Sequence, residues 1–114
     1  MTARTRQGTR SPNLVKRYSG NELNGEIWRG EAIDFLRQMD TECASIVFLD
    51  PPFNLGKTYS DSFPGLDRRP EREYRSWLEQ VLLEASRVLM QGGALYLYHL
   101  PIWAMRLGTV LAGC

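Results

Sequence analysis

The sequence predicts an α/β fold with a doubly wound sheet, and three observations carry that prediction. Strand-like and helix-like periods alternate along the 114 residues. One compact apolar run, Ala44 to Leu49, shows no polar alternation and is closed abruptly by Asp50-Pro51-Pro52, as expected of a buried parallel strand. A long amphipathic stripe then precedes a second apolar, tyrosine-bearing run.

The elements follow in order. Gly25 to Arg29 reads as a short strand, and Gly30 to Met39 as a helix with Ala32, Ile33, Leu36 and Met39 at helical spacing. After the Ala44–Leu49 strand, residues 54–70 are rich in Gly, Ser, Asp and Pro and hold no apolar period, which marks a long loop of the kind that is usually functional or mobile. Pro70 opens a helix over 71–90, in which Tyr74, Trp77, Leu78, Val81, Leu82, Ala85, Val88 and Leu89 form one apolar face. On its solvent side Glu71 and Arg75 are spaced for an i,i+4 ion pair. Gln91-Gly92-Gly93 reads as the turn that ends this helix, Ala94 to Leu100 as a strand, and Pro101 as the first residue of a final helix reaching about Ala112.

Charge is distributed unevenly. Residues 1–21 hold five basic side chains, Arg4, Arg6, Arg10, Lys16 and Arg17, and no acid, whereas the rest holds nine basic and thirteen acidic ones. The sequence reading therefore divides the chain into a basic, unstructured arm over 1–21 and a folded part over 22–114. Cys43 and Cys114 lie far apart, and His99 is the single histidine, so neither a disulfide framework nor a metal site is expected. The longest apolar stretch, Gly93 to Met105, is broken by His99 and Pro101 and falls short of the roughly 20 residues that span a bilayer. A reduced, cytoplasmic setting without a membrane is the expectation.

The tetrad Asp50-Pro51-Pro52-Phe53 stands where ligands bind in open α/β sheets, beyond the carboxyl end of a strand. Two consecutive prolines remove backbone donors and fix φ, so this stretch offers carbonyl acceptors on a rigid frame. Such a site suits a ligand that presents an NH2 group, and Phe53 adds a flat surface for a ring. An exocyclic amine on a nucleobase fits. Its lone pair is delocalised into the ring, and hydrogen bonds from both amine protons, to the Asp50 carboxylate and the Pro51 carbonyl, favour a tetrahedral nitrogen able to attack an in-line methyl donor. Positioning supplies most of such catalysis, and the base must leave the duplex to reach the site.

The run Asp50-Pro51-Pro52-Phe53-Asn54-Leu55-Gly56-Lys57-Thr58-Tyr59, behind Ala44 to Leu49, resembles the catalytic motif of the S-adenosylmethionine-dependent DNA amino-methyltransferases. Upstream, Arg29 to Leu36 is similar to the Gly-Asp-helix segment of that family, with Glu31 in place of the usual Asp; Phe53 replaces the commoner Tyr. The resemblance covers about residues 22–110. It implies a partial Rossmann-like methyltransferase sheet with flanking helices, S-adenosylmethionine as methyl donor, and double-stranded DNA with one flipped base as partner in a restriction-modification setting. An Asp at the first motif position leans toward adenine N6 over cytosine N4. By the same resemblance Asp50, Pro51, Pro52 and Phe53 are catalytic and Glu31 and Asp50 touch the cofactor. Asn54, Lys57, Arg68 and Arg69 are the candidate nucleic-acid contacts, as phosphate-directed or pocket-lining side chains. The motif order resembles the permuted beta type, whose FxGxG-like cofactor loop comes late; the chain contains no such loop, so the expectation is an N-terminal fragment, inactive by itself. The alternatives weighed are a non-catalytic DNA-binding remnant and a methyltransferase acting on a non-DNA amine or amide. His99 reads as a core or strand-end residue and Trp77 as core.

Overall fold

The computed structural model describes residues 11–55 and 69–114, which fall in two compact units divided between Met39 and Asp40. In the first unit β1 (Asn13–Ser19) pairs antiparallel with β2 (Asn24–Arg29), and α1 (Ala32–Gln38) follows. The turn closes through a 2.8 Å bond from the Gly20 amide to the Leu23 carbonyl. Cross-strand partners Arg17 and Glu26 form a 3.0 Å ion pair, and Glu26 also accepts the Trp28 indole N–H at 2.9 Å. These two bonds, the Trp28 one first, hold the Glu26 carboxyl below the ordinary carboxylate range. Trp28 and Phe35 meet with ring centroids 5.9 Å apart.

This hairpin corrects the sequence reading twice. An arm boundary at residue 21 would cut it in two, because residues 13–19 of the supposed arm are a strand. Its cationic side chains suggested a solvated tail, yet an exposed two-stranded ribbon tolerates them once β2 supplies the ladder. Among the described residues β2 pairs with β1 alone, so it does not extend a doubly wound parallel sheet. The chain is mixed α/β with two two-stranded sheets among the described residues.

The second unit is built from β3 (Ala44–Leu49), α2 (Glu71–Val88), β4 (Leu89–Leu97) and α3 (Pro101–Ala112). β3 and β4 are parallel, as the apolar run implied, with Ile46 opposite Ala94 and Leu49 opposite Leu97. The expected helix is two residues too long. α2 ends at Val88, whose carbonyl accepts from the Cys43 amide at 2.8 Å, and the chain passes directly into β4. Gln91-Gly92-Gly93 is thus not a turn before the strand but an irregularity inside it: Ala44 faces Leu89 while Ile46 already faces Ala94. Gly92 adopts φ +78°, and a Cβ on Gly93 would lie 2.8 Å from the Met90 carbonyl and 3.0 Å from that of Ser45.

Tyr74, Leu78 and Leu82 of α2 pack with Trp103 and Leu107 of α3 as the core, and Leu49, Leu95 and Leu97 close it from the sheet. Among the described residues the opposite sheet face is open: Ile46 and Phe48 are 64% and 66% exposed, and Tyr96 on β4 and Tyr98 just after it are exposed too. β3 is therefore covered on one face, not buried on both. The ion pairs also differ from the expected one: Arg75 bonds Glu79 at 2.9 Å, one turn further along, and Glu71 instead pairs with Arg106 of α3. No helix among the described residues is long and apolar enough to cross a membrane.

Candidate active site

The carboxyl ends of β3 and β4 lie side by side, and a 2.9 Å bond from the Tyr98 amide to the Leu49 carbonyl carries the pairing one step past the ladder. Two segments emerge there together, Asp50 to Phe53 after β3 and Tyr98 to Leu100 after β4. Asp50 is exposed, and among the described residues no side chain is hydrogen-bonded to its carboxylate. Pro51, Pro52 and Phe53 are half-buried.

What holds the tetrad comes from two residues that sequence reasoning assigned elsewhere. Tyr74, fully buried on α2, places its hydroxyl 2.5 Å from the Pro52 carbonyl and 2.6 Å from Nε2 of His99. Nδ1 of His99 accepts the Leu100 amide N–H at 2.7 Å. These three contacts agree on one assignment of the protons between them. Nδ1 is an acceptor, so the neutral ring carries its proton on Nε2; the Pro52 carbonyl can only accept, so the hydroxyl donates to it and accepts from Nε2–H. The result is a unidirectional chain from the Leu100 amide through His99 and Tyr74 to Pro52. Burial holds the His99 imidazole below its ordinary pKa, which favours the neutral form that the chain requires.

The aromatic contacts reinforce this geometry. His99 stacks on Phe53 with centroids 4.8 Å apart and planes 24° from parallel, and Tyr98 lies 5.8 Å from the same ring. Trp103 of α3 meets Tyr74 edge-on at 4.9 Å. Four elements thus converge on one tetrad. The signals were present: a buried tyrosine hydroxyl requires a partner, and the single histidine stands just past a strand's carboxyl end. Spacing alone could not join residues 25 positions apart.

The remaining predicted positions separate. Asn54 adopts φ +62° and spends its amide on the backbone of Arg69: Nδ2 donates to the Arg69 carbonyl at 2.8 Å, and the Arg69 N–H donates to Oδ1 at 2.7 Å. Asn54 and Arg69 are thereby joined through two bonds, and nothing in these contacts bears on the expected role of Asn54 toward nucleic acid. The Arg69 guanidinium lies over Trp77, 4.8 Å from the ring centroid. Lys57 and Arg68 lie outside the described residues. Glu31 is exposed in the first unit, at the residue before α1. No cluster of three potential metal ligands occurs among the described residues.

The chain is 32% identical over 97 residues to the type II methyltransferase M.BamHI of Bacillus amyloliquefaciens, covering 85% of this chain and 22% of that protein. It is 35% identical over 81 residues to the DNA adenine methyltransferase YhdJ of Escherichia coli K12, covering 70% and 26%. By these matches the chain resembles DNA methyltransferases over most of its own length. To the type II methyltransferase M.HinfI of Haemophilus influenzae it is 29% identical over 87 residues, covering 67% of this chain and 24% of that enzyme. The chain therefore spans about a quarter of the length of these DNA methyltransferases. No family model matches it, and no solved structure does.

Proposed function

We infer that this protein contributes the base-binding edge of a DNA methyltransferase that transfers a methyl group to the exocyclic amine of a flipped base, adenine N6 ahead of cytosine N4. The observation that carries this reading is the acceptor set at the β3 end. Asp50 presents an exposed carboxylate, Pro51 a carbonyl to which no donor among the described residues is bonded, and Pro52 a carbonyl already taken by Tyr74. An NH2 group entering there meets two acceptors and, from Pro51 and Pro52, no competing backbone N–H.

The chemistry follows from that arrangement. Asp50 and the Pro51 carbonyl each accept one amine proton and draw the nitrogen toward a tetrahedral geometry. The ring of the base stacks on the face of Phe53 turned away from His99, which offsets part of the stacking lost on leaving the duplex. Bound S-adenosylmethionine would supply a methyl carbon on a positively charged sulfur, a species whose charge suits the Asp50 carboxylate. As the new N–C bond forms, the C–S electron pair stays on sulfur, and the surplus amine proton leaves to the Asp50 carboxylate or to water. In this account the segment belongs to the catalytic domain, with a Rossmann-like sheet completed by strands other than those described. The restriction-modification setting is part of the same reading.

The test is methyl transfer by the intact protein from labelled donor to DNA, followed by nucleoside analysis. Label in N6-methyladenine supports the reading in full. Label in protein or in no product contradicts it.

A further inference from the structure

The Tyr74–His99 pair belongs to neither the acceptor set nor the stacking surface, yet it touches both. Tyr74 occupies the Pro52 carbonyl, and His99 covers one face of Phe53. The Pro51–Pro52 peptide plane, which carries the Pro51 carbonyl, has no N–H with which to anchor itself, so its orientation depends on the units beside it, and the adjoining Pro52 carbonyl is the one that Tyr74 holds. A strand end half-open to solvent would otherwise leave that carbonyl to water.

We propose that Tyr74 and His99 are positioning residues of the methyl-transfer site, clamping the Pro52 carbonyl and the Phe53 ring so that only Asp50 and the Pro51 carbonyl are presented to the base. The proposal rests on the methyltransferase reading above for its consequence in turnover, and on the described geometry for the clamp itself. Its physical basis is preorganisation: an acceptor that need not reorient when the amine arrives contributes to the transition state without a reorganisation cost. Tyr74 supplies the clamp from the core side, where Leu78, Trp103 and Leu107 fix its ring. His99 serves as both hydrogen-bond donor to the hydroxyl and planar backing for Phe53.

The experiment compares the wild-type protein with Tyr74→Phe, which keeps the packed ring, and with His99→Gln, whose amide reaches the Nε2 position and can donate to the hydroxyl. Two readouts are taken on the intact protein. In NMR, wild type shows a neutral Nε2–H tautomer at His99 and cross-relaxation between the His99 and Phe53 rings; Tyr74→Phe weakens that cross-relaxation. In turnover, Tyr74→Phe lowers the methyl-transfer rate about tenfold, the equivalent of one lost hydrogen bond, with KM for DNA changed less than about threefold. His99→Gln loses less rate than His99→Ala. An Nδ1–H tautomer in wild type, or unchanged ring contacts in Tyr74→Phe, overturns the clamp whether or not methyl transfer is seen. Unchanged turnover in Tyr74→Phe overturns its role in positioning. Failure of wild type to methylate DNA, with the NMR results as expected, contradicts the methyltransferase reading and leaves the clamp established.

Discussion

The Tyr74 hydroxyl lies 2.6 Å from Nε2 of His99 and forms the centre of a directed chain that ends on the Pro52 carbonyl. Protonation of His99 places a hydrogen on Nδ1, where the Leu100 amide already points its own. The ring is packed by Phe53, Tyr74 and Trp103, and the surrounding elements carry Asp50 after β3 and the Glu71–Arg106 pair joining α2 and α3. Among the described residues no charged side chain is hydrogen-bonded to the imidazole.

A pH dependence follows with a definite sign. The folded-state pKa of His99 is lowered, so the unfolded chain binds the proton more readily. Stability from this group is fully present above the ordinary imidazole pKa and is lost as pH falls from that value through the lowered one. Urea unfolding from pH 8 to pH 5 should show a declining midpoint below about 6.5. His99→Gln should flatten that part of the profile, and an unchanged slope would remove His99 as its source.

Asn54 is predicted to be a structural clasp. Asn54→Ala removes both bonds to the Arg69 backbone and places alanine at φ +62°, a combined cost of about 1–3 kcal/mol. Asn54→Gly relieves the backbone term and should recover part of the loss. Chemical denaturation of the two variants checks the order, and equal stability of Ala and Gly would contradict it.

Two glycine substitutions should act with opposite signs. Gly93→Ala drives a methyl group to 2.8 Å from the Met90 carbonyl and should destabilise the β4 irregularity measurably. Gly108→Ala, inside α3 with open space around the new atom, should stabilise by about 0.5–1 kcal/mol through helix propensity and a less flexible unfolded chain. Thermal unfolding reads both, and a stabilising Gly93→Ala would refute the close packing there.

Most of the second unit was legible because its signals are local. The apolar run of β3, the stripe of α2 and the proline that opens α3 each declare themselves within a few turns or residues. Asp50 to Phe53 was legible for the same reason, as a contiguous motif behind a strand. β1 was not, since Asn13 to Ser19 has the composition of a solvated basic tail and becomes a strand through pairing with β2. The end of α2 was misplaced because Leu89 and Met90 continue its apolar period; the parallel pairing to β3 takes them into β4 instead. The Tyr74–His99 link was invisible because it depends on how α2 and β4 meet, which no spacing encodes.

In the proposed site Asp50 and the carbonyl beside it are the acceptors for the amine undergoing methylation. Asp50 is exposed, so Asp50→Ala leaves the core intact and removes one of the two acceptors. The measurement is single-turnover methyl transfer by Asp50→Ala beside its DNA affinity at the same salt concentration. The expected result is a rate lower by at least about a hundredfold with affinity within about threefold of wild type, because phosphate contacts carry most of the binding. A variant that methylates DNA at the wild-type rate would contradict it.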